Sequence, residues 1–222
     1  VQSMSFEQAQ ERGLVVMIDE DVLDAYLDSV YEQHVPQKAD DPLRVVYTPL
    51  HGTGLECVTR ILQRIGVTDI HVVEEQAQPD GNFTTCNYKL LSGNEVGVLL
   101  LDFICRSRIA AGTMPENPVA VTTIVSSSMV DPIAEHYGVE VRRVLTGFKY
   151  IGGVIAELES ENRGDDFIFG FEESYGYLAG THARDKDAVV ATMLICQMAR
   201  YYRALDKNLY QAMQDLYDEY GF

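Results

Sequence analysis

Val119-Ala120-Val121-Thr122-Thr123-Ile124-Val125 decides the class of fold. An apolar, β-branched run without a charge reads as a strand buried on both faces, and such strands belong to parallel sheets covered by helices. The chain on either side supplies those helices. Residues 129–137 read as a short helix closed by Gly138, 139–145 as a strand, 148–159 as a helix, and Phe167-Ile168-Phe169-Gly170 as another short strand after the polar stretch 160–165. Two long helices are expected at 186–204 and 209–220, the second with Leu209, Met213, Leu216, Tyr217 and Tyr220 on one face. Upstream, Ser92-Gly93-Asn94-Glu95 has the form of a capping box, and the helix behind it, 96–104, is apolar nearly all round, the pattern of a buried helix. A polar loop is expected over 106–118. The core predicted for this block comprises Leu99, Leu100, Val121, Ile124, Val141, Val144, Ile155, Ile168 and Leu194.

A smaller unit precedes it. Val22, Leu23, Tyr26, Leu27, Val30 and Tyr31 recur at helical spacing within 19–33, behind an acidic N-terminus of Asp19, Glu20 and Asp21. After the polar stretch 34–42 come the strand Arg44-Val45-Val46-Tyr47, the turn Thr48-Pro49-Leu50-His51-Gly52-Thr53-Gly54, a helix carrying Leu55, Val58, Ile61, Leu62 and Ile65, and the strand Ile70-His71-Val72-Val73. That is a β-α-β unit. The next segment, 74–87, runs to the following helix without a helix or long strand of its own, and two strands cannot shield a sheet, so this block reads as unfinished. The whole is an α/β protein with mixed, largely parallel sheets flanked by helices.

With 222 residues the chain is long enough for a real core, and 46% hydrophobic and 23% charged residues are globular proportions. A net charge of −17 repels nucleic-acid backbones and anionic lipid, so neither is an expected partner. A small anionic ligand stays compatible, because local N–H donors and one or two cations bind it inside an acidic protein. No apolar run approaches a membrane span, and no signal peptide is legible at the start. Cys57, Cys86, Cys105 and Cys196 are widely spaced, which argues for reduced thiols in a cytoplasmic protein rather than a zinc site.

Three segments carry chemistry. The glycine turn 48–54 joins a strand to a helix N-terminus that offers free N–H groups, though as a plain structural turn it needs no ligand, and it lacks the Lys-Ser/Thr ending of a P-loop. Gly170-Phe171-Glu172-Glu173-Ser174-Tyr175-Gly176-Tyr177 sets two carboxylates and a hydroxyl behind a strand, where open α/β sheets bind ligands; carboxylates accept hydrogen bonds from sugar hydroxyls. Thr181-His182-Ala183-Arg184-Asp185-Lys186-Asp187 puts cations at the expected start of a long helix, against its macrodipole, which suits either an anionic ligand or pairing with Asp185 and Asp187.

Taken together and in this order, these segments resemble the α-D-phosphohexomutases, the phosphoglucomutases and phosphomannomutases. The likeness extends through Gln76-x-x-Pro79-Asp80-Gly81-Asn82-Phe83, through Leu91-Ser92-Gly93-Asn94-Glu95-Val96-Gly97 and through Thr146-Gly147-Phe148-Lys149-Tyr150-Ile151-Gly152. The resemblance implies two consecutive domains of that type, the first truncated: 1–18 as the end of a preceding domain, 19–90 as a shortened second domain, and 91–222 as a third domain. It implies an isomerase parent that interconverts hexose 1-phosphate and hexose 6-phosphate through a phosphoserine and a hexose bisphosphate, with Mg2+ held by an Asp-x-Asp-x-Asp-Arg loop.

Carried over by residue, Glu172, Glu173 and Ser174 match the sugar loop, with Phe171 standing between its Gly and first Glu. Lys186 matches a lysine given an acid/base or charge-stabilising role, flanked by the candidate substrate contacts His182 and Arg184; Ala188 stands where a glycine is usual. Glu172, Glu173, Ser174, Lys186 and Arg184 are thereby expected around one pocket. The phosphoserine loop, the phosphate-gripping arginine loop and the metal loop have no counterpart in the sequence, and Thr84-Thr85-Cys86-Asn87-Tyr88-Lys89 reads as the join across a missing segment that held the last of these. No metal ligands and no activity are therefore expected of this chain alone. The competing reading is a non-catalytic module that binds sugar phosphates or a partner. Glucose or mannose preference and oligomeric state are not legible.

Overall fold

The structure is a computed structural model and describes residues 4–35, 42–50, 52–74, 77 and 91–221. Along the chain run α1 (Phe6–Glu11), α2 (Glu20–Tyr31), β1 (Arg44–Tyr47), α3 (Leu55–Arg64), β2 (Asp69–Val72), α4 (Gly93–Ala111), β3 (Val119–Thr123), α5 (Val130–Tyr137), β4 (Glu140–Val144), α6 (Phe148–Ser160), β5 (Phe167–Glu172), β6 (Gly176–Leu178), α7 (Ala188–Arg203) and α8 (Leu209–Tyr220). Of the expected segment 76–83 only Ala77 is described, and His51 of the glycine turn, Cys86 and the join at 84–89 lie outside the described residues.

In the second block β3 is buried at every residue and pairs in parallel with β4 on one side and β5 on the other. β5 pairs antiparallel with β6, giving the order β4-β3-β5-β6. In the first block β1 and β2 pair in parallel, with Arg44 opposite Asp69 and Tyr47 opposite Val72. This is the α/β architecture expected from the strand and helix patterns.

Local chemistry sets the helix ends. Asp19 caps α2 by accepting from the Val22 N–H. In α4 both halves of the capping box form, the Glu95 N–H donating to Ser92 Oγ at 3.2 Å and the Ser92 N–H to Glu95 Oε2 at 2.7 Å. A second such box, Asn208 with Gln211, opens α8.

Several boundaries differ from the sequence-based expectation. α4 continues through Arg106, Ser107 and Arg108 to Ala111, so most of the first half of the expected loop 106–118 is helix; these polar residues, Ser107 among them buried, interrupt the apolar pattern and hide the period. β3 stops at Thr123, leaving Ile124 57% exposed and outside the core it was expected to join. Val141 and Val144 are half-buried, while Leu99, Leu100, Val121, Ile155, Ile168 and Leu194 are buried. β6 was not expected at all.

The blocks meet along α7, which packs on α2 and α3 as well as on α4 and α8. Three polar contacts among the described residues cross there. Tyr26 of α2 donates to Asp187 at 3.0 Å, Gln197 exchanges hydrogen bonds with the Val35 backbone at 3.2 and 3.1 Å, and Arg200 Nη1 donates to the Ile65 carbonyl at the end of α3 at 2.7 Å. Cys57, Cys105 and Cys196 are free thiols; burial pushes the last two up to about 12.

Candidate functional site

The chain leaves β3 toward β4 and leaves β5 toward β6, on opposite sides, so the C-terminal ends of β3 and β5 border the kind of crevice where open α/β sheets hold ligands. Five loops distant in sequence gather there. They are the start of α4, the turn after β3, the approach to α6, the turn after β5 and residues 181–187.

Glu172 ends β5 with 7% of its surface exposed. A buried carboxylate needs donors, and Oε1 receives the Gly147 N–H at 2.7 Å, tying the approach to α6 onto β5. Glu173 Oε2 accepts from Thr123 Oγ1 at 3.0 Å across the crevice, and Thr123 shares a hydrogen bond with Ser126 at 2.8 Å. Ser174 and Tyr175 form the exposed tip of a three-residue turn closed by the Glu172–Gly176 pair. Tyr175 takes φ +63, a left-handed conformation that costs a non-glycine residue about 1–2 kcal/mol. Its hydroxyl, donating to the Leu91 carbonyl at 3.1 Å, ties the strained turn to the approach to α4.

The glycines of α4 have a packing reason. A side chain at Gly93 would run into the Glu173 carbonyl, and one at Gly97 into the Phe171 ring, so α4 lies directly on β5 and its turn only because both positions are bare. The Tyr177 hydroxyl closes the contact by donating to the Gly93 carbonyl at 3.0 Å.

Lys186 reaches the same place from the other side. Its Cδ, the Glu172 Oε2 and the Phe148 ring crowd the space over Gly176, and its ammonium lies 5.9 Å from the Phe148 ring centre. That ammonium also donates to Asp185 at 2.9 Å, and the contact holds the Asp185 carboxyl below its usual range. Of the predicted site residues, Glu172, Glu173, Ser174 and Lys186 are thus neighbours.

His182 and Arg184 point elsewhere. Arg184 Nη2 donates to Glu159 of α6 at 2.5 Å and Nη1 to the Thr181 carbonyl at 2.6 Å. His182 Nε2 stands 3.0 Å from Asp187 Oδ2, and its Nδ1 is buried without a partner among the described residues.

Helix α7 starts at Ala188, not at Lys186, so the segment 181–187 is a loop and Asp187 is the N-cap, accepting from the Val189 and Val190 N–H groups at 2.8 and 3.2 Å. The expected clash of cations with the macrodipole therefore does not arise. Burial pushes the Asp187 carboxyl up, but the hydrogen bonds from His182, the Val189 N–H, Tyr26 and the Val190 N–H outweigh it, and the group ends below its ordinary range. Sequence reasoning singled out neither Thr123, Tyr26 nor Asp187 as a site residue. For Asp187 a signal existed, an Asp directly before the apolar run 188–196.

In the first turn of α3, burial above all, then Glu56 and Asp187, push the Cys57 thiol up. Among the described residues no three His, Cys, Asp or Glu side chains stand together where they could hold a metal ion. Among them, too, no helix is long and apolar enough to cross a membrane.

Residues 92–220 match the family model of the phosphoglucomutase/phosphomannomutase alpha/beta/alpha domain III, and residues 24–95 match that of domain II. The chain belongs to the phosphoglucomutase/phosphomannomutase family. Among curated relatives, a Staphylococcus aureus (strain bovine RF122 / ET3-1) phosphoglucomutase is 28% identical over 259 residues, covering 96% of this chain and 45% of the relative. A Staphylococcus haemolyticus (strain JCSC1435) phosphoglucomutase is 27% identical over 251 residues, covering 92% and 44%. The chain thus spans about half the length of the curated relatives it matches. Both alignments are longer than its 222 residues, so they include positions that this phosphoglucomutase/phosphomannomutase chain lacks.

Among solved structures, the fold resembles a putative phosphomannomutase from Thermus thermophilus, with TM-score 0.65 and 17% identity over 90% of this chain and 51% of that one. A phosphoglucomutase/phosphomannomutase family protein from Burkholderia thailandensis gives 0.60 and 13%, over 88% and 46%.

Proposed function

We propose that this chain is the domain II and domain III portion of a phosphohexomutase whose whole length interconverts hexose 1-phosphate and hexose 6-phosphate through a phosphoserine and a hexose bisphosphate, in cytoplasmic carbohydrate metabolism. The observation that carries the reading is the convergence of Glu172, Glu173, Ser174 and Lys186 at the ends of β3 and β5, in a family whose named relatives are phosphoglucomutases. In this reading Glu173 and Ser174, at the rim, accept and donate to sugar hydroxyls. Glu172 keeps one oxygen on Gly147 and offers the other beside Lys186. Lys186 offsets negative charge on the transferring phosphoryl group, a form of catalysis that works by positioning and by charge stabilisation. His182 and Arg184 act at one remove, through Asp187 and Glu159.

The described residues do not fit a magnesium site, and no step here is routed through the metal. Mg2+ belongs to the whole protein in this reading, held by the segment missing between 83 and 91; alignments longer than the chain support such a gap. The chain by itself is then inactive.

The test couples glucose 6-phosphate formation to NADPH production, supplying glucose 1-phosphate, Mg2+ and glucose 1,6-bisphosphate. The full-length parent should turn over, and Glu172→Ala, Ser174→Ala and Lys186→Ala in it should each lower kcat/KM by about 10²-fold or more. A preparation whose mass equals this sequence should give no turnover. Wild-type kinetics in all three variants would remove these residues from the site, and turnover by the short chain would refute the assignment of the missing loops.

A further inference from the structure

At the opposite end of β5 a cleft of about 430 Å3 opens at the junction of the two blocks. Its wall includes Phe167, the first residue of β5, which puts it about 16 Å along the strand from Glu172 at some 3.3 Å per residue. Three charged side chains line it. Arg108 comes from the last turn of α4, Glu32 from just past the end of α2, and Asp165 from the 3-10 turn ahead of β5; Thr113 and Thr181 add hydroxyls.

Arg108 is the anomaly. Arg60, Arg64, Arg106, Arg142, Arg143, Arg163 and Arg184 each have a carboxylate within 4.0 Å. The Arg108 guanidinium is more than half-buried and makes neither a hydrogen bond nor an ion pair among the described residues. Burial pushes its pKa down and no counter-charge among the described residues offsets that, although the guanidinium nitrogens keep contact with water. The dipole of α4 accounts for a cation in the last turn but not for the missing anion. Glu32 and Asp165 stand on the same lining, equally without an ion-pair partner among the described residues.

One cation and two carboxylates, held apart across a cleft, complement a ligand that carries both signs. A simple anion is attracted by Arg108 and repelled by the two carboxylates, and a simple cation meets the reverse. We propose that this cleft binds a small zwitterion of the α-amino-acid class, its carboxylate on the Arg108 guanidinium and its ammonium toward Glu32 and Asp165. The planar fork of arginine suits a carboxylate, and the volume admits an amino acid together with its side chain. Such a ligand touches both blocks at once, Glu32 on one and Arg108 with Asp165 on the other, so its binding stabilises their docking. The proposal is independent of the mutase reading, because none of its residues belongs to the crevice at Glu172.

The experiment uses this chain and the twenty common L-amino acids as probes, each at about 10 mM, with thermal melting and amide NMR as readouts. At least one should raise the melting temperature and shift the Gly180 and Thr113 amides while leaving Gly147 and Gly176 in place. For the best binder, the des-amino acid and the methyl ester should each bind at least about tenfold more weakly, as should the amino acid itself on Arg108→Gln and Asp165→Asn protein. Arg108→Lys, which keeps the charge, should retain part of the affinity and shows that loss in the glutamine variant is not unfolding. No binding by any probe, equal binding of the des-amino acid, or undiminished binding to Arg108→Gln would each overturn the proposal.

Discussion

The two blocks of this molecule solve the same problem differently. In the second, β3, β5 and β6 are buried at every residue, and α4 and α6 lie against the sheet. In the first, no residue of β1 or β2 is fully buried, and the buried side chains Leu27, Val30, Val58, Ile61 and Leu62 sit on α2 and α3, the helices that pack on α7. The second block is therefore organised around its sheet and the first around a helix it does not own. A unit with a two-stranded sheet among its described residues stays folded here because Asp187, Gln197 and Arg200 of its neighbour hold it by hydrogen bonds over an apolar contact.

The buried side chains of both blocks form one contiguous cluster, and the sharpest way to break the comparison is to cut that cluster at each end. Phe103→Ala in α4 should cost about 3–5 kcal/mol and loosen both blocks, since the first depends on the second. Ile61→Ala in α3 should cost about 2–5 kcal/mol in the first block while β3 and β5 keep their hydrogen-exchange protection. Equal deprotection of β3 and β5 by Ile61→Ala would mean that the blocks form one cooperative core.

Arg200→Met tests the polar contact farther along α7. It leaves the Ile65 carbonyl without its donor and should cost about 1–3 kcal/mol, seen as faster amide exchange in α3 and β2 with little change in β3. Tyr26→Phe removes one donor to Asp187 and should cost about 1 kcal/mol, measured by denaturant melts.

The smallest effect comes from acid. The folded Asp187 carboxyl lies below its ordinary value of 3.8, so its contribution is complete above that value and is lost as the pH falls toward and through the lower folded value. Melting profiles of wild type and Asp187→Asn should therefore converge below about pH 4, and a constant gap down to the lowest pH would assign the stability to something other than the charge.

Much of this was legible in the sequence where an element was long or announced by chemistry. The β1-α3-β2 unit, the capping box at Ser92 and Glu95, and α8 with its apolar stripe follow from period and caps alone. β6 escaped because Gly176-Tyr177-Leu178 is too short to show an alternation. Ile124 was misjudged because a β-branched run says that a strand is present but not where the backbone turns away, which here it does toward the Thr123–Ser126 turn. At the site, the acidic loop stood out by composition, yet the partners that hold it did not. Thr123 and Gly147 are ordinary residues in sequence and become partners of Glu173 and Glu172 only when the sheet brings them together.

The three described thiols supply a built-in clock for motions between the blocks. Cys57 is half-buried on α3, whereas Cys105 and Cys196 lie sealed in α4 and α7, where burial keeps them protonated and unreactive toward alkylating agents. Release of the first block would uncover α7, so a mass spectrum taken during alkylation would show Cys57 labelled early and Cys196 at the rate at which the blocks part. Cys105 would follow only with global unfolding. One unmodified chain thus records, as an order of covalent masses, how firmly its incomplete half is held.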